Sequence, residues 1–312
     1  MNTFAFVFPG QGSQAVGMLD AWGDHPAVKQ TLVEASDALG EDIAALIHTG
    51  PKEQLDLTTN TQPVMLTAGI AAYRAWRAEG GAAPSVVAGH SLGEYTALVA
   101  AGALTLADAL PLVRFRAQAM QDAVPVGVGA MAAILGMDAQ AVRDGCAEAA
   151  AACGEAVEAV NFNDPKQTVI AGTKAGVDKA CEVLKAKGAK RALPLSVSAP
   201  FHSSLMKPAA DRLRERLAAT TISTPAIAVV NNIDVTIETD AAAIRDALYR
   251  QAFGPVRWVE TVLAIRARGI THIVECGPGK VLAGMVKRID ADAVSAALLD
   301  PTSLADVKGL LA

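Results

Sequence analysis

Ser85-Val86-Val87-Ala88-Gly89-His90-Ser91-Leu92-Gly93-Glu94 is a short apolar run that ends in the pattern Gly-x-Ser-x-Gly. A helix-forming stretch follows it, to Ala101. Strand, tight turn and helix in that order are the setting in which this pattern carries chemistry. A sharp strand-to-helix turn forces its serine into a strained backbone conformation, so small residues are needed on both sides. It also lifts the hydroxyl to a helix N-terminus, where the dipole favours developing negative charge. Ser91 is therefore the candidate nucleophile, and the N–H of Leu92 points at the reacting oxygen.

Working outward, three more apolar runs read as buried parallel strands: Phe4 to Phe8, Ile227 to Val230 and Ile270 to Val274. Each ends in turn residues, at Pro9-Gly10, Asn231-Asn232 and Gly277-Pro278-Gly279. Helical segments separate them, as in an α/β sheet covered on both faces. Ligands of such sheets bind beyond the carboxyl ends of the strands, where these turns would gather. A helix is predicted from Leu106 to Gln121, capped by Thr105 with Asp108 and interrupted by Pro111.

The middle of the chain reads as a separate unit. Ala130 to Leu135, Ala156 to Val160, Gln167 to Ala171 and Arg191 to Val197 are strand-like, while Asp138 to Ala152 and Lys174 to Lys187 are helical. Asn161, Asn163, Asp164 and Pro165 form the expected turn between two of the strands. The order βαββαβ is that of a ferredoxin-like unit. The expected architecture is an α/β-hydrolase-like main domain with a parallel sheet, residues 1–126 and 198–312, with a ferredoxin-like small domain inserted at 127–197. Val126-Gly127-Val128-Gly129 is the hinge between them.

Composition narrows the class. The chain has 312 residues, 52% of them hydrophobic, which suffices for one large domain or two modest ones. A net charge of -5 argues against nucleic acid as the main partner. No run of about 18 apolar residues predicts a membrane span. The N-terminus enters an apolar strand without a basic leader, so no signal peptide is expected and the location is read as cytoplasmic. Cys146, Cys153, Cys181 and Cys276 form no Cys-x-x-Cys pair and have no histidine at metal-ligand spacing, so free thiols, and neither a metal nor a cofactor, are expected.

A serine nucleophile needs a base within hydrogen-bond reach. There are five histidines. His25 and His48 lie in polar or helix-end segments, His90 adjoins Ser91 on a tight turn, and His272 sits inside an apolar strand. His202 lies in the loop Ser198-Ala199-Pro200-Phe201-His202-Ser203-Ser204, where a functional histidine belongs. It is the candidate base. Nothing local names the group that orients it; Asp234 is one candidate by chain order. Arg114 and Arg116 lie about 200° apart on their helix, so only one can face the site, and periodicity does not choose.

Taken together, Phe8-Pro9-Gly10-Gln11-Gly12-Ser13-Gln14, Gly89 to Glu94, Gly129-Ala130-Met131-Ala132-Ala133, His202 with Met206-Lys207-Pro208-Ala209, and Glu275-Cys276-Gly277-Pro278-Gly279 resemble the malonyl-CoA:acyl carrier protein transacylases of bacterial fatty-acid synthesis. The motifs follow in order across almost the whole chain. The resemblance implies ping-pong transfer of malonyl from malonyl-CoA, through a Ser91 ester, to the phosphopantetheine thiol of an acyl carrier protein. It places Gln251 as the residue whose backbone carbonyl orients His202. It places Gln11 as the second N–H of the oxyanion hole beside Leu92, and Arg116 as the malonyl clamp. Gln62 and Asn161 resemble pocket residues. Phe201 matches the phenylalanine that goes with malonyl in related polyketide acyltransferase domains, although Pro200 departs from their pattern.

Carrier proteins are acidic, so a basic docking face is expected. Lys174, Lys179, Lys185, Lys187, Lys190 and Arg191 in the small domain, and Lys280, Lys287 and Arg288 after the last strand, are candidates. A monomer is expected. The rival readings are a discrete acyltransferase of a polyketide synthase, an α/β-class thioesterase, and a non-catalytic acyl-binding subunit.

Overall fold

Two sheets divide the chain, and the site lies between them. The computed structural model describes residues 3–197 and 199–312. Met1, Asn2 and Ser198, which fall at predicted domain ends and at the start of the His202 loop, lie outside the described residues. The strands are β1 (Phe4–Phe8), β2 (Val86–Gly89), β3 (Gly129–Leu135), β4 (Val157–Asp164), β5 (Gln167–Thr173), β6 (Arg191–Pro194), β7 (Ala228–Val230), β8 (His272–Cys276) and β9 (Val294–Leu298).

The larger sheet is five-stranded, in the order β7-β2-β1-β8-β9. All four pairings are parallel, with Val7 opposite both Ala88 and Glu275, and Ala88 opposite Val230. The carboxyl ends of β1, β2, β7 and β8 therefore lie side by side, with their four turns gathered at one edge. Alternation along β1 serves both faces. Phe4, Phe6 and Phe8 join the core cluster that includes the helix Thr58–Ala78, while Ala5 and Val7 join Trp258, Val262 and Met285 on the other face.

The smaller sheet is antiparallel, in the order β4-β5-β3-β6. Ala132 and Ile134 of β3 pack under the helices Ala139–Cys153 and Lys174–Ala186. Met131 and Ala133 point the other way, into a small cluster with Val160, Val169 and Phe201 that faces the main sheet.

Several boundaries differ from the sequence reading. β4 runs through Asn161 and Asn163 to Asp164, so these residues are strand, and the turn is left to Pro165 and Lys166. Irregular register at Ala159/Asn161 and Phe162/Asp164 accommodates them. The same stretch is sewn to the main part of the chain: Phe162 N–H donates to Val256 O at 3.0 Å, and Val256 N–H donates to Val160 O at 2.8 Å. β8 starts at His272 rather than Ile270, because its partner residue on β1 is Phe4. β6 ends at Pro194. β9 went unread because Val294-Ser295-Ala296-Ala297-Leu298 is a half-exposed edge without a continuous apolar run. The helix Leu106–Asp122 continues through Pro111, and Thr105 caps it by accepting the Asp108 N–H.

Among the described residues, no helix is long and apolar enough to cross a membrane, and no group of three or more His, Cys, Asp or Glu could hold a metal ion. The four cysteines are free.

Phe6 is fully buried, with its ring edge-on to Phe4, Tyr73 and Trp76. Phe6→Ala should lower unfolding free energy by about 3–5 kcal/mol. Urea unfolding checks this, as a lower midpoint at an unchanged slope.

Candidate functional site

Steric closeness makes the turn at Ser91. A Cβ on Gly89 would lie 1.9 Å from the Gly93 carbonyl, and one on Gly93 would lie 2.1 Å from Phe8 O. Only hydrogen fits at either position, so the helix Gly93–Ala100 can start against the end of β1. Ser91 is left with φ 53°, a left-handed backbone that residues with a Cβ rarely adopt. Asn232, after β7, braces this turn from outside. Its Oδ1 accepts the Ser91 N–H at 2.7 Å, and its Nδ2 donates to Gly89 O at 2.7 Å. Its own N–H donates to Glu94 Oε2 at 2.9 Å. The sequence reading treated Asn231-Asn232 only as turn residues and missed this role.

His202 reaches Ser91 from the loop after β6. Its Nε2 lies 2.7 Å from Ser91 Oγ. Its Nδ1 donates to Gln251 O at 2.9 Å and to Gly254 O at 3.2 Å. Gln251 ends the helix Ala241–Gln251, and the last carbonyls of a helix have no partner within it. The free carbonyl and the negative helix end are thus offered to the imidazole, a support that elimination among histidines did not reveal. Gly254 was not foreseen. Asp234, the alternative orienting group, is bound by Arg250 at 2.7 and 2.6 Å. His202 is 4% exposed and also left-handed, φ 65°. Burial, then the neighbouring Arg116 charge, pull its pKa down to about 3, so the imidazole is held in its neutral form.

The other histidines fall elsewhere. His90 lines the cavity but bonds Asn163 Oδ1 at 2.8 Å, and burial lowers its pKa. His48 pairs with Asp20, and His25 lies near Glu79. His272 is half-exposed at the start of β8 and bonds Thr271.

The structure separates the two arginines. Arg114 turns outward and holds Glu41 with both Nη atoms, at 3.0 and 2.7 Å. Arg116 is 2% exposed and turns inward. Its Nη1 donates to Gln62 Oε1 at 2.8 Å; its Nη2 lies 3.2 Å from Ser91 Oγ and 3.1 Å from Gln251 Oε1. Its guanidinium also faces the Tyr95 ring at 5.4 Å. Its hydrogen-bond partners are amide and hydroxyl oxygens, none of them a carboxylate. Arg116 is thus a buried cation held by neutral oxygens beside the Ser91 hydroxyl, with no buried anion to offset its charge by direct contact.

These residues open onto a cavity of about 240 Å³. Gln11, Leu92 and Gln62 line it from the main sheet side, Met131 and Asn161 from the small sheet, and Phe201 beside His202. Val281, Leu282 and Met285 close another side, on a helix whose first turn is held by buried Glu275, which accepts the Ala283 N–H at 2.8 Å. Every site residue expected from sequence is brought together: Ser91, His202, Gln251, Gln11, Leu92, Arg116, Phe201, Gln62 and Asn161.

A family model described as acyl transferase domain matches residues 5–309. A malonyl CoA-acyl carrier protein transacylase of Escherichia coli (strain K12) is 54% identical over 306 residues, 98% of this chain and 98% of that one. The chain belongs to this transacylase family. Solved relatives share the whole structure. An acyl-carrier-protein S-malonyltransferase from Burkholderia pseudomallei 1710b is 68% identical with a TM-score of 0.96, covering 98% of this chain and 99% of that one. A malonyl-transacylase solved in complex with a holo type II PKS acyl-carrier protein is 51% identical with a TM-score of 0.95, covering 97% and 98%.

In this family member the elbow has no room to spare. Gly93→Ala should destabilise the fold by about 3 kcal/mol, because the clash is with backbone and cannot relax by a rotamer change. A thermal or urea melt reads the loss, and native-like stability would show that the elbow can shift.

Proposed function

We propose that the chain transfers malonyl from malonyl-CoA to the phosphopantetheine thiol of an acyl carrier protein, through a malonyl-Ser91 ester. One observation carries the choice of acyl group. The Arg116 fork, bound only to neutral acceptors, sits 3.2 Å from the nucleophilic oxygen, within reach of the carboxylate of a short diacid.

The dyad runs both halves of the reaction. His202 Nε2 takes the Ser91 proton as Oγ bonds to the thioester carbon. The carbonyl oxygen becomes an oxyanion facing the N–H groups of Leu92 and Gln11. As the C–S bond breaks, His202 returns the proton to the departing coenzyme A thiolate. The carrier thiol then gives its proton to His202 and attacks the ester carbon. Ser91 leaves as an alkoxide and recovers that proton. The imidazolium formed in each half is stabilised by the Gln251 and Gly254 carbonyls where a hydrolase would place an acid. Gln62 orients Arg116, while Phe201 and Asn161 bound the acyl pocket and exclude bulkier groups. The chemistry needs no cofactor or metal.

The product supplies fatty-acid chain extension, and the enzyme is read as a cytoplasmic monomer. The catalytic unit is read as α/β-hydrolase-like, residues 1–126 and 198–312. The order β4-β5-β3-β6 supports a ferredoxin-like reading of 127–197. For docking, Lys174, Lys179 and Lys187 are partly spoken for by Asp178, Glu182 and Glu148. Arg288 is held by Asp164. Exposed Lys185, Lys190, Arg191, Lys280 and Lys287 carry no ion pair among the described residues, and of these Lys190 and Arg191 stand side by side in the chain. Reversing both charges should raise KM for carrier protein and leave coenzyme A binding unmoved.

With labelled malonyl-CoA the protein should form a stable malonyl adduct that discharges onto holo carrier protein, and Ser91→Ala should form none. Rapid release of free malonate would instead identify a hydrolase. Arg116→Ala should slow malonyl loading on the order of 100-fold. The low pKa of His202 sets the pH profile. A base whose folded pKa is depressed stays neutral as pH falls through 6.5, so loading should hold its rate there and decline only at distinctly lower pH. Single-turnover loading across pH 4–8 reads this, and an acid limb at 6.5 would contradict it.

A further inference from the structure

Gln251 enters the mechanism above through its backbone, yet its side chain is fully buried in the same site. Its Oε1 accepts from Arg116 Nη2 at 3.1 Å, and its Nε2 donates to Ser91 O at 3.0 Å and to Glu94 Oε2 at 2.9 Å. The neighbours leave the amide one orientation. Arg116 can only donate, the Ser91 carbonyl can only accept, and the Glu94 oxygen already accepts from the Asn232 N–H at 2.9 Å. Oxygen must therefore face the guanidinium and nitrogen must face Glu94. Gln62 pins the other arm of the fork at 2.8 Å. Two amide oxygens, one on each Nη, thus hold the plane of the guanidinium, while Glu94 holds the Gln251 amide from behind.

We propose that the Gln251 side chain is a specificity-determining positioning residue: it locks the Arg116 fork toward Ser91 so that carboxylated acyl groups are captured in register with the nucleophile, while its backbone carbonyl separately holds His202. The proposal rests on the reading of Arg116 as the malonyl clamp. It assigns one residue to cation and base through different atoms, which makes the two roles separable. A side-chain substitution keeps the carbonyl at the helix end and removes the grip on Arg116, together with the amide's bonds to Ser91 O and Glu94 Oε2.

The test compares Ser91 loading from malonyl-CoA and acetyl-CoA in the native enzyme and in Gln251→Leu. The ratio of kcat/KM, malonyl over acetyl, should fall roughly 10- to 100-fold, the worth of one hydrogen bond to a charged group. The fall should be carried mainly by KM for malonyl-CoA. The acid limb of acetyl loading should stay where the native enzyme has it, because His202 keeps its carbonyl. If Gln251→Leu does not fold, the ratio is read on Gln251→Met, which keeps the length without the amide. Parallel loss with both donors, or an unchanged ratio, overturns the role given to Gln251. A native enzyme with no preference for malonyl-CoA overturns the proposed function itself, which separates the two failures.

Discussion

Ser91 keeps a left-handed backbone, and that constraint organises much of the molecule. Such a conformation costs about 1–3 kcal/mol and persists only where the surroundings over-determine it. Here Gly93 packs onto the Phe8 carbonyl, Gly89 packs onto Gly93, and the Asn232 amide bridges the Ser91 N–H and the Gly89 carbonyl. Three parallel strands, β1, β2 and β7, must therefore be in register before the serine can stand as it does. The larger sheet is the jig that holds the turn. His202, also left-handed, is brought to it by a loop that leaves the small sheet, so the dyad is assembled only when both sheets are in place.

Charge in the site follows from burial. Arg116 is enclosed and bound by amide and hydroxyl oxygens, and His202 is kept neutral by desolvation and by that cation. Glu94 is buried behind Gln251, and burial raises its pKa to about 7 despite hydrogen bonds from Gln251 and Asn232 and the charge of Arg116. The pocket thus holds a positive centre beside an unprotonated imidazole. A carboxylate in contact with Arg116 would cancel that centre, and a carboxylate on His202 Nδ1 would add negative charge beside it. The helix-end carbonyl of Gln251 orients the ring without a formal charge.

Legibility in the sequence followed the range of the interaction. The elbow was readable because its requirements are local: a strand, two glycines and a helix within ten residues. His202 was readable because only five histidines exist and the other four sit in less suitable segments. Arg114 against Arg116 was not readable, since both lie on one helix, and the side that faces the site depends on where Glu41 and Gln62 are brought. Asn161 and Asn163 looked like turn residues because asparagine favours turns. A bulged strand tied to Val256 overrode that preference. β9 was missed because a half-exposed edge of small residues has no apolar period to detect.

By itself the sequence determined the serine elbow, the histidine that faces it and the α/β character, together with a family resemblance that pointed to the remaining pocket residues. These rest on short-range steric and hydrophobic patterns that survive in one dimension. The tertiary structure alone decided the polar network behind them. Asn232, Glu94, Gln251 and Gly254 come from three separated stretches and act through single hydrogen bonds across the ends of different elements. A hydrogen bond between residues 138 or 157 positions apart leaves no periodicity in the chain. It exists only once packing has placed donor and acceptor about 3 Å apart in a space closed to water.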